Sequence, residues 1–122
     1  MRISRLNDKF AAAPQIQYDH VKEIAKQGYK AIVNHRPDGE EAGQPLSKAL
    51  AKAAKQAGIA YHYIPFKPGR ATQADKDNFK AVLDGTDGPV LGFCRSGMRA
   101  RSLYKSCSST SGGGFFAKLF GR

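Results

Sequence analysis

The chain has few acidic residues, few cysteines and no long hydrophobic run, and each of these shortages argues against some classes of protein. Its 122 residues include 10 Asp and Glu against 20 Lys and Arg, a net charge of +10. No apolar run is long enough to cross a membrane. Met1 to Arg5 is not followed by the apolar stretch of a signal peptide. Two cysteines cannot form a disulfide framework, so the sequence predicts a cytoplasmic protein without a membrane span.

The positive charge is uneven along the chain. No acidic residue follows Asp87, whereas these basic residues do: Arg95, Arg99, Arg101, Lys105, Lys118 and Arg122. Neither a platform of aromatic and basic residues nor a recognition helix is evident, which argues against nucleic acid as the partner. The histidines are scattered without metal-ligand spacing. We therefore predict a small anionic substrate, with no metal and no cofactor.

Short apolar segments alternate with amphipathic ones along the chain. Strands are predicted within 3–13 (one or two, at a sheet edge), at 30–34, 59–65 and 90–93, and helices at 19–27, 46–56, 72–83 and from 101 onwards. This alternation predicts an α/β fold with a mostly parallel central sheet and helices on both faces. One catalytic domain is expected over 1–105, followed over 106–122 by a Ser/Gly-rich tail with a short apolar-basic end.

The segment from Cys94 to Arg99 has the pattern of an anion-binding loop that contains a nucleophile. Cys94 ends a predicted strand, and the loop Arg95, Ser96, Gly97 and Met98 leads towards a helix. Inward-pointing backbone N–H groups and a helix N-terminus favour an anion and thus the reactive thiolate. Arg99 can add a planar two-donor fork. The alternative is a half-buried structural cysteine beside surface arginines.

Two further loops follow the carboxyl ends of predicted strands, the edge at which open α/β sheets bind ligands. The loop 35–45 contains Arg36 and Asp38, and the loop 66–71 contains Arg70. Both arginines are candidate substrate-binding residues. Asp38 is a tentative general acid, and its alternative role is to form the turn in Pro-Asp-Gly.

Four segments in order along the chain are similar to the phosphatase-like domain of bacterial beta-lactamase-hydrolase-like proteins, also described as a sulfur transferase family. They are residues 5–10 (RLNDKF), 34–40 (NHRPDGE), 43–45 (GQP) and 94–99 (CRSGMR). The resemblance implies a compact tyrosine-phosphatase-like fold with Cys94 as nucleophile and Arg99 as anion clamp. It also implies a possible partner, a metallo-beta-lactamase-fold enzyme of persulfide chemistry. Met98 departs from the family's usual threonine, and residues 106–122 depart from its C-terminal helices.

Two chemistries fit such a loop. A sulfurtransferase would form a persulfide on Cys94 from thiosulfate or another persulfide, whereas a cysteine phosphatase would form a phosphocysteine from an aryl or alkyl phosphate. Four residues separate Cys94 from Arg99, as in rhodaneses. Tyrosine phosphatases instead share a spacing of five residues between the cysteine and the arginine. The loop 66–71 also lacks the carboxylate that tyrosine phosphatases use as acid. We predict sulfur transfer, with the phosphatase as first alternative and a non-catalytic anion- or partner-binding module as second.

Overall fold

The structure, a computed structural model, describes residues 1–111. Strands and helices alternate along it after the first two strands. The elements are β1 (Ser4–Arg5), β2 (Phe10–Ala13), α1 (His20–Lys26), β3 (Ala31–Asn34), α2 (Ser47–Ala57), β4 (Ala60–Tyr63), α3 (Gln73–Gly85), β5 (Val90–Phe93) and α4 (Met98–Ser111). Each predicted strand and helix therefore has a counterpart.

The five strands form one sheet in the order β1-β2-β5-β3-β4. The pairs β2–β5, β5–β3 and β3–β4 are parallel, and β1 pairs with β2 in the antiparallel direction. The predicted α/β fold with a mostly parallel sheet is thus confirmed. Four carboxyl strand ends meet at one edge, and β5, which leads to Cys94, lies in the centre of the sheet. This topology brings the loops after β3, β4 and β5 together.

The prediction that the first strands lie at a sheet edge is correct for β1 and wrong for β2. All four residues of β2 are buried, and Phe10 to Ala13 pair residue for residue with Val90 to Phe93. A strand buried on both faces needs a continuous run of apolar or small residues, which Phe-Ala-Ala-Ala provides. Alanine has a weak strand preference, so the sequence alone gave little sign of a central position.

Helices cover both faces of the sheet, as predicted. On one face α3 and α4 pack around Phe79, which makes an edge contact with Phe10 at a ring-centroid distance of 5.5 Å. On the other face α1 and α2 bury Ile24 and Leu50. Gly92 lets α4 approach β5 closely, because a Cβ there would lie 2.7 Å from the Phe10 ring and 3.3 Å from the Ala100 Cβ. The N-terminal end of α4 is thereby held over the central strand.

Helix α4 continues to Ser111, so the predicted Ser/Gly linker is wrong for residues 106–111. Leu103 and Cys107, one helical turn apart, are both buried against the sheet and α3. This packing stabilises a helix that the serine-rich composition disfavours. The predicted apolar-basic end at 115–120 lies outside the described residues. Within residues 1–111, no helix is long and apolar enough to cross a membrane.

Candidate active site

Cys94 lies directly after β5, at the base of a short loop that leads into α4. Its side chain is fully buried. The backbone N–H of Gly97 donates a hydrogen bond to the Cys94 sulfur at 3.0 Å, and the N–H of Cys94 donates to the carbonyl of Ala13 at 3.4 Å. The first of these bonds stabilises negative charge on the sulfur. The loop therefore directs one backbone donor, the Gly97 N–H, at the cysteine sulfur.

Gly97 is required for this geometry. Its φ of +95° lies in the region that L side chains rarely adopt, and a Cβ would come within 3.2 Å of the Ala13 carbonyl carbon. The loop can therefore pack tightly against the end of β2. The Ser96 hydroxyl accepts a hydrogen bond from the N–H of Met98 at 3.3 Å, which helps to begin α4 at Met98.

Arg99, in the first turn of α4, is held from outside the loop. Nη1 and Nη2 donate to the two carboxylate oxygens of Glu40 at 2.8 and 2.9 Å, and Nη1 also donates to the Phe66 carbonyl at 3.2 Å. The hydrogen bonds to Glu40, followed by the charges of Glu40 and Cys94, raise the pKa of Arg99 although burial opposes the shift. A guanidinium has five N–H donors, so Nε–H and one Nη2–H are not used by Glu40 or Phe66. These two are parallel and form a fork that can face an oxyanion above Cys94.

Glu40 lies between two arginines and was not predicted as a site residue. Besides Arg99 it accepts a hydrogen bond from Arg36 Nε at 2.9 Å. The hydrogen bond from Arg99, supported by Arg36, lowers the pKa of Glu40 to about 2 although burial opposes the shift. Glu40 is therefore ionised at neutral pH and cannot donate a proton to a leaving group. Its place in an irregular loop gave no periodic signal that could have identified it.

A cavity of about 860 Å³ opens in front of the loop. The side chains at its wall are Arg36, Glu40, Glu41, Pro68, Arg95, Ser96, Met98 and Arg99. Arg36 is buried and also bonds Gln15 at 3.0 Å and Glu41 at 3.0 Å, whereas the Arg95 side chain is 70% exposed. The predicted residues Arg36, Arg95, Ser96, Met98 and Arg99 are thus brought together around one opening.

Two residues predicted for the site, Asp38 and Arg70, do not line this cavity. Asp38 accepts a hydrogen bond from the backbone N–H of Ser47 at 2.9 Å, and its own N–H donates to the Tyr63 hydroxyl at 2.9 Å. Its carboxylate therefore satisfies the first N–H of α2, and it does not line the cavity. Arg70 is exposed and is also absent from the cavity wall. The loop that contains it contributes Pro68 and the carbonyl of Phe66 instead.

His35 and Cys107 are both buried in the core of the domain. His35 is buried, bonds the Ile64 carbonyl through Nδ1 and contacts the rings of Phe66 and Phe79. Burial lowers its pKa to about 4, so the ring is neutral at physiological pH. Burial raises the pKa of Cys107, whose sulfur faces the Lys76 carbonyl of α3. No group of three or more His, Cys, Asp or Glu side chains in residues 1–111 is arranged as a metal site.

Asp38→Asn is expected to leave turnover within about twofold of wild type, because the amide oxygen can still accept from Ser47. Asp38→Ala, which removes the acceptor, should lower the free energy of unfolding by about 1 kcal/mol. Steady-state rates and urea denaturation measure the two effects. A fall of about 10² in phosphate hydrolysis in Asp38→Asn, with loss of the acidic limb of the pH profile, would instead identify Asp38 as the general acid.

Glu40→Gln is expected to lower kcat/KM several-fold, since a single amide oxygen replaces two charged acceptors for Arg99. The pKa of Glu40 is lower in the folded protein than its ordinary 4.5, so its contribution to stability is present above about pH 5 and lost as pH falls towards 2. Urea midpoints at pH 7 and pH 3 should differ less in Glu40→Gln than in wild type. Glu41→Gln, which alters a more exposed partner of Arg36, is the matched control and should change both quantities less.

The model of the family described as "Beta-lactamase hydrolase-like protein, phosphatase-like domain" matches residues 2–111. The chain belongs to this family. Among curated relatives, a beta-lactamase hydrolase-like protein of Xylella fastidiosa is 41% identical over 104 residues, and one of Agrobacterium fabrum is 38% identical over 104 residues. Each match covers 85% of this chain and 24% of the relative, so the chain spans about a quarter of their length.

Solved structures share the fold of this phosphatase-like domain. A candidate phosphatase of Neisseria meningitidis has a TM-score of 0.77 and 30% identity, over 85% of this chain and 74% of that one. The Pseudomonas aeruginosa protein TpbA, solved with phosphotyrosine, has a TM-score of 0.56 and 16% identity, over 78% of this chain and 54% of that one. The predicted tyrosine-phosphatase-like fold is confirmed by this likeness.

Proposed function

We propose that this domain transfers sulfur through a persulfide on Cys94, taken from a small anionic donor such as thiosulfate. The observation that supports this most is the state of the carboxylate beside the Cys94–Arg99 pair. Glu40 is held ionised by two arginines, with a pKa of about 2. Glu41 bonds Arg36 and Asp38 bonds the N–H of Ser47. Within residues 1–111, both carboxylates at the cavity wall accept hydrogen bonds from arginines, so neither is placed to protonate an alkoxide leaving group.

Sulfur transfer from thiosulfate has no need of such an acid. The thiolate of Cys94 attacks the outer sulfur of thiosulfate, an S–S bond forms, and sulfite leaves with the electron pair of the broken S–S bond. An acceptor thiolate then attacks the outer sulfur of the persulfide and regenerates the Cys94 thiolate. Neither step requires an external oxidant or a proton donor. The Gly97 N–H and the free fork of Arg99 would stabilise the negative charge in both steps.

Phosphate ester hydrolysis is the second candidate, and the comparisons favour it over sulfur transfer. The family is described as phosphatase-like, and the Neisseria neighbour at 30% identity is a candidate phosphatase. In this reaction Cys94 would attack phosphorus and form a phosphocysteine that water hydrolyses. Because both carboxylates at the cavity wall bond arginines in the described part of the chain, such an activity would be restricted to esters with a good leaving group, such as aryl phosphates. The predicted metallo-beta-lactamase-fold partner and the cytoplasmic location stay predictions.

One experiment separates the two reactions. Purified protein is treated with thiosulfate and measured by intact mass, and in parallel it is assayed for thiosulfate:cyanide sulfur transfer and for 4-nitrophenyl phosphate hydrolysis. We expect an adduct of about 32 Da, the mass of one sulfur atom left by nucleophilic catalysis, and cyanide-dependent turnover. Cys107→Ala, which keeps Cys94, is the control and should form the same adduct. Phosphate hydrolysis without any adduct would establish the phosphatase instead.

A further inference from the structure

A second cavity lies on the other side of the Cys94 loop and shares Ser96 and Met98 with the first. Its volume is about 370 Å³, within the range of roughly 300–1,000 Å³ typical of small-molecule sites. It is enclosed by the start of the chain, the end of β2, the loop and the first turn of α4. The residues that line it include Arg2, Ser96, Met98 and Arg101.

Arg101 faces this second cavity, whereas Arg99 faces the first. Residues two apart on an α-helix point about 200° apart around its axis. The two arginines therefore project to opposite sides of the first turn of α4, which agrees with each lining a different cavity. The loop that holds Cys94 lies between the two openings.

The charges of the two cavities differ. The first contains Glu40 and Glu41, which neutralise Arg36 and Arg99. No acidic residue lines the second cavity, and both of its arginines are exposed. Within residues 1–111, neither Arg2 nor Arg101 has a side-chain hydrogen bond or an ion pair. The first cavity thus has three arginines against two glutamates, whereas the second has two arginines and, among residues 1–111, no carboxylate. The two guanidinium groups of the second cavity could bind a carboxylate.

The two cavities share Ser96 and Met98 at their walls. Met98 is 71% exposed, the highest value among the exposed large hydrophobic residues of the described chain. An apolar side chain between two charged openings can contact the hydrocarbon part of a ligand whose polar ends occupy both. A compact oxyanion would use only the first cavity.

We propose that the second cavity is an anion subsite that binds the carboxylates of an extended acceptor thiol, while the thiol reaches the Cys94 persulfide across Met98. This assignment rests on the proposed sulfur transfer. The acceptor thiolate forms a bond to the outer persulfide sulfur, the S–S bond to Cys94 breaks, and Cys94 leaves as thiolate. The carboxylates bound by Arg2 and Arg101 take no part in the bond changes.

The test compares two acceptors after loading with thiosulfate: mercaptosuccinate, which has two carboxylates, and 2-mercaptoethanol, which has none. The measured quantity is the KM for mercaptosuccinate divided by the KM for 2-mercaptoethanol. In Arg101→Gln and in Arg2→Gln we expect this ratio to rise at least about fivefold over wild type. Arg5→Gln is the matched control because it removes the same charge from an exposed position outside this cavity. Its ratio should equal that of wild type, and equal ratios in all four proteins would overturn the subsite.

A second measurement does not depend on sulfur transfer. Succinate is titrated into the Cys94→Ser protein, and backbone amide shifts are followed by NMR. Saturable shifts at Ser96, Met98 and Arg101 that disappear in Arg101→Gln are expected. If these shifts appear in Cys94→Ser but the wild-type protein forms no persulfide, the subsite stands and the proposed function fails. If persulfide forms but neither the shifts nor the change in KM ratio appears, the proposed function stands and the subsite is wrong.

Discussion

Cys94→Ser is expected to lower turnover by about 10³-fold or more, both for thiosulfate and for aryl phosphates. A loss of this size corresponds to about 4 kcal/mol in the transition state. The reason is that no base in residues 1–111 forms a hydrogen bond with the Cys94 sulfur: it accepts from the Gly97 N–H, and the neighbouring carboxylates bond to arginines or to the backbone. The thiolate alone is a competent nucleophile near neutral pH.

The fold should survive this substitution, because the serine oxygen can accept the Gly97 N–H that now bonds sulfur. Thermal unfolding midpoints of wild type and Cys94→Ser should therefore agree within a few degrees. Cys107→Ala, which changes the other buried cysteine, should keep its rate. Residual activity of Cys94→Ser above a tenth of wild type would mean that Cys94 is not the nucleophile.

Arg99→Lys is expected to lower kcat/KM by about tenfold or more, equivalent to at least about 1.4 kcal/mol. Arg99 bonds both oxygens of Glu40 and the Phe66 carbonyl while it keeps a parallel pair of N–H donors for the substrate. An ammonium group cannot satisfy these acceptors and still present two parallel donors. The loss should fall mainly in kcat, because charge accumulates on the reacting sulfurs or oxygens in the transition state.

Arg5→Lys is the control for this prediction, since Arg5 is exposed and its carboxylate partner is Asp8. Its steady-state rates should equal those of wild type. A double variant, Glu40→Gln with Arg99→Lys, tests the coupling between the two residues. If Glu40 acts by orienting Arg99, the double variant should be little worse than Arg99→Lys alone. Strictly additive losses would assign Glu40 a separate role.

The loop from Cys94 to Arg99 could be predicted from the sequence because its chemistry depends on local order. A cysteine after an apolar strand, one glycine and an arginine before a helix are all close in the chain. The glycine with positive φ and the hydrogen bond from its N–H to sulfur follow from that order. Local conformational preferences are strongest over such short distances.

The partners of this loop could not be predicted in the same way. Glu40 and Arg99 are far apart in sequence, and their contact depends on where the loop after β3 folds over β5. The sequence offered Asp38 as the acid because of its residue type, yet Asp38 bonds the first N–H of α2. A carboxylate's surroundings, and with them its pKa, are set by tertiary contacts.

The sequence by itself determined the alternation of strands and helices, the loop from Cys94 to Arg99 and the family, since all three depend on residue order and hydrophobic periodicity. Tertiary structure decided the position of β2 inside the sheet, the length of α4 and the carboxylate that faces Arg99. The burial of Leu103 and Cys107 stabilises the C-terminal part of α4. The pairing of β2 with β5 places β2 inside the sheet. These features depend on contacts between distant segments, which exist only once the chain has folded.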